Sequence, residues 1–335
     1  MITLGNKYRP IDWNDVVEQD SIVTILNRQI ETGNVRNSYM FTGKSGGGKT
    51  TCARVFANKL GSIPIEVDAA SNSGVDNIRL IIEDAQERSI SSKYKVYIID
   101  ECHMLSNAAW NAILKTIEEP PKYTIFIFCT TDPQKVPATI LNRVQRYNFT
   151  NISVKGILDR LMYVCIKENY ECEESALDYI AKLADGSMRE ALSLLGQVAD
   201  YSTTINMDNV IEVLGNYSYN YFFQLANSLL DGDESKVLSI INNYFNEGRD
   251  LKLFVDQYMD FNLDVIKYSL FKDCSALNIP NNLQADLNNI INFDNPSKYY
   301  NYVVDKLLSL KNMIKYDTNV KSIIEIIMLQ IARCQ

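Results

Sequence analysis

The sequence predicts a parallel α/β domain over residues 1–150, a small three-helix domain over 151–202 and an all-α domain over 203–335. Apolar runs alternate with helical stretches as far as Phe149, the pattern of strands buried on both faces of a sheet. The octapeptide Gly43-Lys44-Ser45-Gly46-Gly47-Gly48-Lys49-Thr50 fits the phosphate-cradling pattern G-x-x-x-x-G-K-[ST], in the strand-to-helix setting that the pattern needs. From Asn151 onward the strand signals stop, and apolar residues recur at helical spacing.

Each element has its own signal. Tyr39-Met40-Phe41 is a buried strand leading into the octapeptide, and Cys52 to Leu60 is a helix leading out, ended by Gly61. The glycines let successive backbone N–H groups point at phosphate oxygens, and the new helix adds its positive end. Lys49 then reaches the β/γ-phosphates and the Thr50 hydroxyl ligates Mg²⁺. With average residue usage such a match arises by chance in a chain this long on the order of 1% of the time, so the loop is read as functional. Ile65-Glu66-Val67 is a short strand. Val75, Ile78, Ile81, Ile82 and Ala85 mark one face of a helix. Lys95 to Asp100 is a buried strand, Ala108 to Glu118 a helix stopped by Pro120-Pro121, Thr124 to Cys129 a further apolar strand, and Tyr147 to Phe149 the last.

Beyond them, Ile157, Leu158, Leu161, Met162 and Cys165 predict one helix, Ala176 to Leu183 a second ending near Gly186, and Arg189 to Ala199 a third. Asp200 to Thr204 reads as a linker. Phe254, Tyr258, Phe261, Val265 and Tyr268 form an aromatic stripe read as core. The Asn-rich stretch Asn281 to Asn295 reads as loops or helix ends.

Bulk composition narrows the class. At 335 residues the chain exceeds one typical core. A net charge of −8 counts against a broad basic groove, while leaving open nucleic-acid contacts made through helix N-termini. No apolar run is long enough to span a bilayer, and the start of the chain lacks a signal-peptide pattern. The seven cysteines include no C-x-x-C pair, which predicts reduced thiols in a cytoplasm, most of them buried, rather than a zinc site or a disulfide frame.

Around the phosphate loop stands a set of candidate chemical groups. Asp100 closes its strand at the crevice where open α/β sheets bind ligands, and suits Mg²⁺ coordination through water. Glu101 suits deprotonation of an attacking water. A hydroxyl of Thr130-Thr131-Asp132 can reach a γ-phosphate or that water. Arg143, and equally its neighbour Arg146, is a candidate arginine finger, and Arg189 opens a helix from which a guanidinium can read the γ-phosphate. His103, the chain's only histidine, is read as a packing or helix-start residue, because Glu101 already fills the base position.

With these residues in order, the chain resembles the AAA+ clamp-loader ATPases, closest to the bacterial gamma/tau type. The shared stretches are Lys7-Tyr8-Arg9-Pro10 with Trp13 to Val17, the phosphate loop, Asp68-Ala69-Ala70-Ser71, Val96 to Ser106, Ala112 to Pro121, Thr130 to Lys135 and Gly186 to Ser193. The resemblance implies an AAA+ parallel-sheet domain, a three-helix lid and an all-α collar. It implies that Tyr8, Arg9, Pro10, Val16 and Val17 line an adenine pocket, and that Gly46, Gly47, Gly48, Lys49, Thr50 and Thr51 hold the phosphates of ATP. Thr50 and Asp100 would serve Mg²⁺, Glu101 would be the base, Thr131 and Arg189 the two sensors, and Arg143 a finger acting on the neighbouring subunit's ATP.

The implied partners are other subunits of a five-membered ring, a sliding clamp and primer–template DNA, in the cytoplasm of a bacterium or a phage-infected cell, with no membrane. Asn142-Arg143-Val144 departs from the family's Ser-Arg-Cys, Gly61-Ser62-Ile63 replaces a four-cysteine zinc module, and Asn72-Ser73-Gly74 lacks the usual template-facing basic residues. Two rivals remain: another AAA+ remodeller such as a helicase loader, against which the Lys115–Pro121 and Thr130–Lys135 stretches speak, and a non-hydrolysing structural subunit, against which the intact phosphate loop and Asp100-Glu101 speak.

Overall fold

The computed structural model describes residues 2–88, 92–214, 218–272, 277, 279, 283–315, 317 and 319–333. The chain divides into two compact units, Met1–Asn206 and Met207–Gln335.

The first unit begins with α1 (Leu4–Lys7) and α2 (Asp20–Thr32) and continues through β1 (Ser38–Thr42), α3 (Lys49–Lys59), β2 (Ile65–Asp68), α4 (Val75–Ala85), β3 (Lys95–Asp100), α5 (Asn107–Glu118), β4 (Thr124–Thr130), α6 (Ala138–Leu141) and β5 (Gln145–Asn148). The five strands form one parallel sheet in the order β2-β3-β4-β1-β5. One row across it runs Glu66, Ile98, Ile127, Tyr39 and Gln145. Because all the strands are parallel, the loops after β1, β3 and β4 leave the sheet on one edge, and the predicted site residues sit there.

Strand periodicity sends alternate side chains to opposite faces. On one face Tyr39, Phe41, Ile98 and Ile127 pack against Ile22 and Leu26 of α2 and Cys52, Ala53 and Phe56 of α3. On the other, Met40, Tyr97, Phe126 and Phe128 meet Ile78 of α4, Trp110 and Ile113 of α5 and Ile140 of α6. Helix α2 is absent from the sequence reading; Ile22 and Leu26 recur four residues apart on its buried side, and Gly33 ends it at a φ of 69°.

The rest of the unit holds α7 (Val154–Glu168), β6 (Glu171–Cys172), α8 (Glu174–Leu183), α9 (Met188–Tyr201) and β7 (Thr204–Ile205). Three helices are present as the apolar spacing predicts, but two expectations need correction. Strand structure does not end at Asn151, since β6 and β7 pair in parallel. Nor are Asp200 to Thr204 a linker: α9 runs on to Tyr201, and Thr204 enters β7. A two-residue bridge is too short to leave a periodic signal, which is why it was not visible in the sequence.

The second unit is helical: α10 (Met207–Leu214), α11 (Ser218–Leu230), α12 (Glu234–Asn246), α13 (Leu251–Phe271), α14 (Gln284–Ile290), α15 (Pro296–Ile314) and α16 (Val320–Ala332). The stripe Phe254, Tyr258, Phe261, Val265 and Tyr268 on α13 is buried, and the rings of Phe222 of α11 and Tyr244 of α12 pack against it at a tilt. The Asn-rich stretch is partly helix, as α14; Asn281 and Asn282 lie outside the described residues. Cys52, Cys102, Cys129 and Cys165 are buried and Cys172 is exposed; Cys274 and Cys334 lie outside the described residues. Among the described residues no helix is long and apolar enough to cross a membrane.

Candidate nucleotide site

The octapeptide begins where β1 ends and stops where α3 starts. Gly43, Gly46 and Gly48 have φ of 145°, 74° and 96°, values that side chains rarely adopt. Gly46 has a second constraint. A Cβ there would stand 1.9 Å from Ser187 Oγ in the loop before α9, so only glycine allows that approach. The same contact is closed by the Met188 N–H donating to the Gly46 carbonyl at 3.2 Å and by an ion pair of Lys44 with Asp185 at 2.6 Å.

Beside this loop lies a cavity of about 930 Å³, within the size range of small-molecule sites. Its lining includes Tyr8, Arg9, Pro10, Val16 and Val17, Gly46 to Thr51, Asp100, Glu101 and Arg189. Lys49 is buried, and its Nζ donates to the carbonyls of Gly43 and Lys44 at 2.8 and 2.9 Å. Burial lowers its pKa; Cys129, Glu101 and Asp100 oppose that shift, and Arg189 adds to it. Arg9 is lowered as well, first by burial and then by the like charges of Arg54 and Arg189. Cations so crowded favour an anionic ligand.

Thr50 Oγ1 donates to Asp100 Oδ2 at 2.8 Å, joining the phosphate loop to the end of β3. A hydroxyl and a carboxylate this close are the hard oxygen donors that suit Mg²⁺. The Glu101 N–H donates to Asp100 Oδ1 at 3.0 Å, and Glu101 itself has a φ of 46°. Its carboxylate accepts from Thr131 Oγ1 at 3.1 Å. Thr131 therefore touches the expected base, although it does not line the cavity.

Arg143 stands apart from its own chain's cavity. Its Nε meets Glu118 Oε1 at 2.7 Å and one terminal nitrogen donates to the Thr139 carbonyl at 2.6 Å. Arg146, on β5, does not line the cavity either.

Two groups of lining residues escaped the sequence reading. Leu4, Gly5 and Asn6 of α1 and Tyr170, Gln197 and Asp200 of the helical part also line the cavity. Alongside them the N-terminal segment is tied to α7: Lys7 pairs with Glu168 at 2.6 Å, the Tyr8 hydroxyl donates to the same carboxylate, and Arg160 donates to the Tyr8 carbonyl at 3.0 Å. Burial and then Glu168 push the Tyr8 phenol up to about 12. The Tyr8 partners lie 160 and 152 residues away in sequence, and no short motif links them.

A phosphate loop after β1, an acidic pair at the end of β3 and a helical attachment reaching back over the loop define a nucleotide-binding AAA+ ATPase. The family model described as "DNA polymerase III clamp loader subunit, ATPase lid domain" matches residues 156–203, and "DNA polymerase III, delta subunit" matches 61–153. The DNA polymerase III subunit gamma of Buchnera aphidicola subsp. Schizaphis graminum is 32% identical, over 98% of this chain and 97% of that protein. The tau subunit of Bacillus subtilis (strain 168) is 37% identical, over 78% of this chain and 51% of that protein. Among solved structures, the Thermotoga maritima RuvB Holliday junction branch migration motor matches with a TM-score of 0.55 at 19% identity, over 67% of this chain and 79% of that one, a likeness of fold alone. This chain belongs to the DNA polymerase III gamma/tau family of clamp-loader subunits. It spans about half the length of several of the tau and gamma/tau relatives it matches.

Proposed function

We propose that the chain is an ATP-hydrolysing subunit of a sliding-clamp loader. ATP binding at subunit junctions opens the clamp and grips primer–template DNA, and hydrolysis stimulated by DNA and clamp releases both. The observation that carries the reading is the Thr50–Asp100 contact at 2.8 Å beside Lys49 and Glu101, which brings together the parts a hydrolysing subunit needs. A non-hydrolysing subunit would have no use for this set.

The adenine lies against Tyr8, Arg9, Pro10, Val16 and Val17. The loop N–H groups of Gly46 to Thr51 and the Lys49 ammonium hold the phosphates. Thr50 and Asp100 would hold Mg²⁺, which would neutralise charge on the phosphate oxygens. Glu101 accepts a proton from water as the water oxygen attacks the γ-phosphorus; the bond from that phosphorus to the bridging oxygen breaks, giving ADP and phosphate. Thr131 and Arg189 sense the γ-phosphate, and Arg143 completes the neighbouring subunit's site. In this reading residues 1–150 are the ATPase, 151–202 the lid and 203–335 the collar of a five-membered, cytoplasmic ring.

The test is ATP hydrolysis by the full chain, assembled with its partner subunits, with and without primed DNA and the cognate clamp. Stimulation by both is expected. A rate indifferent to both would overturn the proposal.

A further inference from the structure

We infer that His103 is a positioning residue for Glu101, which rests on the reading of Glu101 as the base. His103 lies in a short 3₁₀ turn, Cys102–Met104, directly after the acidic pair, with a largely buried ring. Its Nδ1 is 3.0 Å from Thr130 Oγ1 and 3.3 Å from Glu101 Oε2.

The protonation of that nitrogen follows from its neighbours. An ionised carboxylate only accepts hydrogen bonds, so the nitrogen facing Oε2 bears the proton. Thr130 Oγ1 also accepts from the Asp132 N–H at 3.0 Å, so the hydroxyl sits on a strand end fixed by the backbone. Thr130 is fully buried at the end of β4. The Nδ1–H thus spans a rigid oxygen on β4 and a carboxylate beyond β3.

Thr131 Oγ1 donates to the same Oε2 at 3.1 Å. The Thr131 hydrogen bond and the His103 ring nitrogen 3.3 Å away both engage Oε2, set the direction of the carboxylate and leave Oε1 to take a proton. The backbone of Glu101 supplies a second observation. Its φ of 46° is one that a non-glycine residue rarely adopts, and it persists only where neighbours hold it. The Asp100 carboxylate, accepting from the Glu101 N–H at 3.0 Å, and the Met104 N–H, donating to the Glu101 carbonyl at 2.9 Å, hold that backbone, while His103 and Thr131 meet the carboxylate. The packing role expected of His103 from sequence omits this contact, because its second partner, Thr130, lies 27 residues further along the chain.

The experiment uses the full chain in its assembly. His103→Asn places an amide N–H where Nδ1 stands; His103→Gln places one where Nε2 stands; His103→Ala removes both. ATP affinity is read by calorimetry on a Glu101→Gln background, and kcat on the otherwise native chain. We expect His103→Ala and His103→Gln to lower kcat about 10²-fold, the scale of an ångström's misplacement, with ATP affinity within about twofold of native. His103→Asn should recover most of kcat. An unchanged kcat in His103→Ala would overturn the inference, as would no advantage of Asn over Gln. A loss of ATP affinity matching the loss of kcat would also overturn it, since that marks a collapsed pocket. If Glu101→Gln alone leaves kcat intact, it is the reading of Glu101 as base that fails instead.

Discussion

The two units bury comparable apolar cores and differ in where they put their polar groups. In Met1–Asn206 both faces of a sheet are covered, and the loops at one edge gather Lys49, Thr50, Asp100 and Glu101 around a cavity. In Met207–Gln335 helices pack on an aromatic centre of Phe222, Tyr244, Phe254 and Tyr258, and the polar residues that distinguish α13 serve the packing itself: Asn262 is buried with its amide on the Tyr258 carbonyl. A parallel sheet offers a row of strand ends at which backbone N–H groups and side chains converge; a helical bundle offers a core with no such edge. Chemistry therefore concentrates in the first unit, and the second has to be judged by stability.

Lys49→Ala sharpens that contrast most. It removes a buried cation from the phosphate loop and should abolish ATP binding in calorimetry, while leaving the helical content by circular dichroism unchanged. Retained binding would mean that the loop is not the phosphate site. Arg143→Ala should leave ATP affinity alone and reduce turnover by about 10³-fold or more. Adding a Glu101→Gln chain, whose own Arg143 is intact, should restore activity at the mixed junctions. No recovery would count against a finger supplied by a neighbour.

The contrast can also be broken from the other side. Phe254→Ala leaves a cavity beneath Phe222, Tyr244 and Tyr258 and should destabilise the second unit by about 3–5 kcal/mol in denaturant unfolding. ATP affinity below the transition should be untouched; a matching loss would show that the units do not hold their properties separately.

The smallest effect concerns the tie at α7. Lys7, and then Tyr8, holds the Glu168 carboxyl below its ordinary value of 4.5. A depressed folded pKa stabilises the fold at pH above the ordinary value, and that stabilisation is lost as pH falls through the folded one. Glu168→Gln should therefore lower Tm at pH 7 by an amount worth about 0.2–1 kcal/mol, with the difference from wild type vanishing in acid. A difference that is constant with pH would show that the carboxylate charge has no part in it.

Much of the site was legible because its chemistry restricts residue type at short spacing. Gly43 to Thr50 needs glycine at positive φ and a lysine and hydroxyl at the helix start, and Asp100-Glu101 needs an apolar strand before it. The α13 stripe was legible for a similar reason, since burial along one helix forces the repeat. Helix α2 and the β6–β7 bridge were not, the first because few of its residues are buried and the second because it is two residues long.

By itself the sequence determined the alternation of β1 to β4 with α3, α4 and α5, the phosphate loop, the acidic pair and the buried stripe, since each depends on residues close together in the chain. Only the tertiary structure decided that Ser187 leans on Gly46, that Glu168 holds Lys7 and Tyr8, and that His103 joins Thr130 to Glu101. Those contacts join segments distant in the chain. Many residue types can make a single hydrogen bond, so none of them leaves a pattern until folding brings the partners together.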